Sequence, residues 1–187
     1  MKTEIIYRTE PSKKGLQELR QLMPLLDIKL TKLRRNELVV TQDHFYNVYR
    51  LDWEWHNGLF DDRMDIRCLC LDEGELADIG IKQHWGFYSL DFDTKHQFYM
   101  TNLDTLDGRA EQNGFDTSFA WMFVHEYLHG AVWEETKDKQ KAAELVHVWE
   151  AAGVLKQKLT EHLEKYDRLK QQVTLLQRII KLIKQLL

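Results

Sequence analysis

His125-Glu126-Tyr127-Leu128-His129 sets out the pattern H-E-x-x-H inside a stretch that reads as a buried helix. Positions i and i+4 of a helix share one face, so His125 and His129 can offer two imidazole nitrogens to one metal ion. Glu126 follows the first of them, where its carboxylate can take a proton from a water held beside that metal. Metal-assisted hydrolysis needs these residue types at this spacing.

With 8 histidines and 30 acidic residues among 187, the bare pattern can arise by accident, so its flanks decide how it is read. Met122, Phe123 and Val124 precede it, and Gly130, Ala131, Val132 and Trp133 follow. No other charge falls between Asp116 and Glu134. A helix apolar on nearly every side is a buried one, and a buried glutamate between two histidines needs polar partners. The bland alternative is a solvated helix whose imidazoles touch nothing. It would leave the apolar flanks unexplained.

With these residues the sequence resembles the zincin metallopeptidases. The likeness rests on His125, Glu126 and His129 among uncharged neighbours and covers about twenty to forty residues. It implies a zinc ion, a water activated by Glu126 and a peptide substrate. The longer metzincin pattern, with a glycine and a third histidine, is absent, because Val132 and Glu135 occupy those places. A gluzincin-like or divergent arrangement is then implied, with the third ligand on a later helix.

Glu144, His147 and Glu150 are the candidates for that ligand. On an unbroken helix Glu144 would lie roughly 22 Å beyond His129, too far to share a metal. The chain must therefore turn within residues 134–141, where Thr136 or Asp138 can cap a new helix. Counting turns on either side of that bend selects Glu144 as the third metal ligand. His147 then supports the site or donates to the developing oxyanion. The same residues also form two E-x-x-H pairs, Glu126 with His129 and Glu144 with His147, the pattern of four-helix di-iron proteins. The strand-rich first half of the chain argues against that scaffold.

Several elements must position this site. Residues 12–26 predict a short helix with Leu16, Leu19, Leu22 and Leu26 on one face and Pro24 disturbing its end. Strand signals follow at 37–41, 45–55, 64–72, 86–93 and 96–103, with turns at His56-Asn57-Gly58 and Asp93-Thr94-Lys95. They predict an antiparallel meander sheet, its last hairpin forming an edge on which a peptide could pair, with Tyr88, His96 and Tyr99 within reach of the cleft. Residues 104–115 read as a loop, and Asp116 or Thr117 as the cap of the motif helix.

From Leu145 onward apolar residues recur every three or four positions, through Tyr166, Leu169, Val173, Leu176, Ile180, Ile183 and Leu187. Such a stripe suits coiled-coil or bundle packing, whether by self-association, on a partner helix or within the chain. Lys165 and Lys170 would oppose each other across a parallel homodimer and so disfavour it. No acidic residue follows Asp167, while Arg168, Lys170, Arg178, Lys181 and Lys184 accumulate. A basic amphipathic helix of this kind can touch membranes or acidic partners.

Composition sets the frame. A chain that is 43% hydrophobic and 30% charged is one ordinary domain, or one domain with an appendage. A net charge of −4 argues against general nucleic-acid binding. No apolar run reaches transmembrane length and no signal-peptide core begins the chain, which predicts a cytoplasmic protein. Cys68 and Cys70 point the same way on a strand, a poor geometry for a mutual disulfide. They are expected to be reduced core thiols, and a C-x-C metal site lacks a matching pair.

The sequence thus predicts an α+β fold: an antiparallel meander packed against a buried motif helix, followed by a long C-terminal amphipathic helix. A zincin-like core would span 1–143, with the ligand helix beginning near 139, and a coiled-coil-like helix would span 144–187. The implied activity is zinc-dependent cleavage of a peptide or protein substrate, with Glu126 as general base and His125, His129 and Glu144 as ligands. The competing expectation is an interaction protein working through its C-terminal helix, with a structural or vestigial metal site.

Overall fold

The computed structural model describes residues 1–33, 63–72, 86–89, 96–101 and 118–186. The chain opens on a strand–helix–strand unit. β1, Lys2–Tyr7, carries the run Thr3-Glu4-Ile5-Ile6, in which every residue is buried. Helix α1, Lys13–Leu22, follows, capped by the Ser12 hydroxyl, which accepts the Gly15 N–H at 2.9 Å. Leu16 and Leu19 turn its apolar face inward, and Met23 caps it, so the helix expected over 12–26 ends at Leu22 and leaves Leu26 outside. β2, Asp27–Lys32, returns parallel to β1, with Lys2 in register with Asp27. Parallel neighbours need a crossover, and α1 supplies it.

The expected antiparallel meander is overturned. β3, Ile66–Leu71, pairs parallel with the other side of β1. β5, His96–Thr101, pairs parallel with β3, and among the described strands only β4, Gly86–Ser89, runs antiparallel, along β5. The order is β2-β1-β3-β5-β4, which places β1 and β3 inside the sheet. All six residues of β3 are buried. A strand covered on both faces reads as an unbroken apolar run, which removes the alternation that distinguishes strand faces in the sequence. The expected strands at 37–41 and 45–55 and the loop at 104–115 lie outside the described residues.

A charged row crosses the sheet, because Glu4 stands in register with Lys29 on β2 and Arg67 on β3. Glu4 is 1% exposed, and its Oε1 takes the Lys29 ammonium at 2.6 Å and the Thr31 hydroxyl at 2.8 Å. A buried carboxylate is tolerated when its lone pairs are filled in this way.

Helix α2, Phe119–Thr136, contains the H-E-x-x-H residues and packs against α1, β4 and β5. Its cap is Ser118, whose hydroxyl accepts the Trp121 N–H at 3.3 Å, rather than Asp116 or Thr117. Phe119, Phe123, Val124, Tyr127, Leu128 and Ala131 are all buried, so the helix meets packed surface on most of its circumference. The Tyr127 hydroxyl lies 3.6 Å from the Met1 sulfur, joining the motif helix to the start of β1.

The chain turns within the stretch where a break is needed. Lys137 adopts the left-handed conformation, φ 54°, and its N–H donates to the Trp133 carbonyl at 2.7 Å. Asp138 then caps α3, Lys139–Ala151, by accepting the Lys141 N–H at 3.0 Å. At the far end Gly153, φ 68°, completes a paired closure in which its N–H donates to Glu150 and the Val154 N–H donates to Trp149, both at 2.9 Å. This is the Schellman arrangement, with glycine where a side chain is most strained.

Helix α4, Leu155–Leu186, begins directly after that closure. The apolar stripe expected to run along one helix from 144 to 187 is therefore divided between α3 and α4. The chain separates into two compact units, Met1–Val146 and His147–Leu187, with the division inside α3. The first contains the sheet, α1 and α2. In the second, α4 buries Leu155, Leu159 and Leu163, while Leu169, Val173, Leu176, Ile180 and Ile183 are all at least half exposed.

Candidate metal centre

His125 and His129 lie one turn apart on α2, and their Nε2 atoms approach to 2.9 Å. The rings meet edge to face, with centroids 4.6 Å apart and planes at 73°. Two imidazoles one helical turn apart can diverge, stack or converge, and these converge through the nitrogen farthest from the backbone. Zinc–nitrogen bonds of about 2.0–2.1 Å at a tetrahedral angle would set two ligand nitrogens about 3.3 Å apart. The pair fits such an ion after opening by about 0.4 Å, a change that small side-chain rotations supply.

Burial grades across the motif. His125 is 8% exposed and Glu126 4%, whereas His129 is only partly covered. The pair therefore has one imidazole anchored in the core and one toward the surface. Glu126 reaches the environment of β3, where Cys68 and Cys70 are buried and form no disulfide. Burial first, then Cys70 and the Glu126 carboxylate, push the Cys68 thiol well above its ordinary range. Cys68 is thus a neutral thiol beside the motif helix. Strand parity shows that the two thiols share a face; only the folded chain brings the Glu126 carboxylate close enough to act on Cys68.

Of the three residues proposed for the third position, Glu144 is exposed and its Oε1 accepts the Gln140 amide at 2.9 Å. His147, the residue after Val146 in α3, has a ring nitrogen that forms a group with those of His125 and His129, all within 4.8 Å of one another. Glu150 lies one turn on, its Oε2 3.8 Å from His147 Nδ1. A carboxylate on one ring nitrogen of a histidine orients the other toward a metal. The His147 side chain is 62% exposed, which leaves it room to adjust. The turn count selects Glu144, which lies one turn before this histidine on the same helix.

Tyr88 lies on β4, and His96 and Tyr99 lie on β5. β4 forms one edge of the described sheet, and α2 packs against it.

No protein-family model, curated protein or solved structure matches this chain. The likeness to zincins rests on the motif residues themselves.

Proposed function

We propose that the chain is a zinc-dependent peptide hydrolase in which His125, His129 and His147 hold the metal and Glu126 is the general base. The carrying observation is the approach of His125 Nε2 and His129 Nε2 to 2.9 Å on a helix that also buries Glu126. His147 takes the ligand place expected for Glu144, since Glu144 is engaged by Gln140. Glu150 Oε2, 3.8 Å from His147 Nδ1, stands where a small rotation would let it orient that ring.

A bound zinc ion would supply Lewis acidity, polarising a carbonyl and lowering the pKa of water toward ~7. Glu126 accepts the proton of the attacking water and returns it to the leaving nitrogen. Its burial in α2 keeps the carboxylate on a rigid element and limits competing water. A peptide laid along β4, an edge of the sheet among the described residues, would gain main-chain hydrogen bonds that orient its carbonyls without selecting a sequence. The three ligands offered among the described residues leave a coordination place for water, whereas structural zinc sites usually take four. That count favours catalysis over a purely structural metal.

The test uses the purified full chain, a broad peptide library and added zinc. Cleavage should require zinc and disappear in Glu126→Gln, while elemental analysis finds the metal retained in that variant. Undiminished cleavage by Glu126→Gln removes Glu126 from the mechanism, and failure of the wild-type chain to bind zinc removes the hydrolase.

A further inference from the structure

The second unit ends in a helical surface that the hydrolase does not use. Beyond Leu163, α4 leaves Leu175, Leu176, Ile179, Ile180, Leu182 and Ile183 between 43% and 59% exposed. At about 100° per residue these six side chains cover an arc of about 160°. Arg178, Lys181 and Lys184 fall on the opposite half, with Arg178 and Lys184 each about 40° from an edge of the apolar arc. No acidic residue follows Asp167 in the chain.

We infer that this end of α4 is an interfacial helix that lies on an anionic lipid surface. The width of the face separates this partner from a second copy of the chain. A two-stranded coiled coil covers a narrow seam, here Val173, Leu176, Ile180 and Ile183. It would leave Leu175 and Leu182 in water, more than about 100° from the centre of that seam. A flat apolar medium covers the whole arc at once.

Charge points the same way. Self-association would gather cations from several helices with no acidic partner in the same segment. An anionic surface neutralises them, and Arg178 and Lys184 flank the buried face, where their aliphatic stems can lie along it and their charges reach the headgroups. From Val173 to Leu186 the helix is about 20 Å long, a length that suits lying in the interface. Among the described residues no helix is long and apolar enough to cross a membrane.

Co-sedimentation of the full chain with phosphatidylcholine vesicles, with and without phosphatidylserine, tests the inference. Binding should need phosphatidylserine and weaken as salt is raised. Arg178→Gln/Lys181→Gln/Lys184→Gln should lower it by about tenfold to a hundredfold. Leu175→Gln/Leu182→Gln should lower it at least tenfold (about the same range), with helix content by circular dichroism unchanged. Light scattering should find a monomer before vesicles are added. Absence of wild-type binding, equal binding to uncharged vesicles, or a stable oligomer indifferent to Leu175→Gln/Leu182→Gln would each overturn it, the last in favour of a second copy.

Discussion

Two imidazole nitrogens 2.9 Å apart share one proton between them, one donating and the other accepting. A cation can take that proton's place only if both rings present lone pairs, so metal binding and the hydrogen bond compete for the same atoms. The competition makes the third ligand measurable. His147→Ala should weaken zinc binding by more than the roughly 10–100-fold typical of losing an outer partner. Glu150→Ala should fall within that 10–100-fold range, and Glu144→Ala should change nothing, all read by competition with a chromogenic chelator. If Glu144→Ala proves the damaging substitution, the third ligand reverts to Glu144. The thiol beneath the motif helix gives a second residue-scale test. Its folded pKa is raised by burial, Cys70 and Glu126 above the ordinary value of 9.0, so the native state keeps a proton that the unfolded chain releases. The stability this contributes is full below that value and is lost as pH rises through it. Urea unfolding between about pH 8 and 10 should therefore show wild type losing stability more steeply than Cys68→Ala. Parallel slopes in the two proteins would remove Cys68 as the cause.

Among the elements, legibility followed local chemistry. The motif helix, α1 and the strands β3, β4 and β5 announce themselves through periodicity, apolar runs and turn residues. The partners of those strands do not. β1 is a short strand whose first three residues, Lys2, Thr3 and Glu4, are polar, and its parallel pairing with β2 and β3 is set by α1 and by packing across more than fifty residues of chain. The turn before α3 is equally silent, because its left-handed position is held by Lys137 where glycine would have marked it. Gly153 does carry a local signal, and it divides the C-terminal stripe into two helices. Gly153→Ala should cost about 1 kcal/mol in urea unfolding, although nothing lies within 4 Å of the added Cβ, because the strain is in the backbone. The charged row of the sheet gives a sharper contrast. Lys29→Ala leaves the Glu4 carboxylate buried at 1% exposure without its ammonium, a loss of about 2 kcal/mol or more in urea unfolding. A loss below about 1 kcal/mol would mean that the ammonium does not hold the buried carboxylate.

At the scale of the whole molecule, the proposed chemistry and the inferred surface attachment fall on different stretches of chain, and one truncation separates them. Every residue from 168 to 185 is exposed, so a chain ending at Asp167 gives up none of the buried side chains of either unit. Marginal stability comes from buried apolar surface, and a solvated helix contributes little of it beyond its own hydrogen bonds. The shortened chain should therefore melt within a few degrees of the full one (about 1 kcal/mol or less in unfolding free energy). Its zinc affinity should also be unchanged, while its association with phosphatidylserine vesicles disappears. The measurements are calorimetry, chelator competition and co-sedimentation on the same two proteins. Loss of zinc binding together with the melting transition would show that the segment supports the folded core. Retention of vesicle binding would place the lipid contact elsewhere. The remaining outcome, an intact metal centre on a protein that no longer sediments, is the one that a buried H-E-x-x-H helix and an exposed basic amphipathic helix together require.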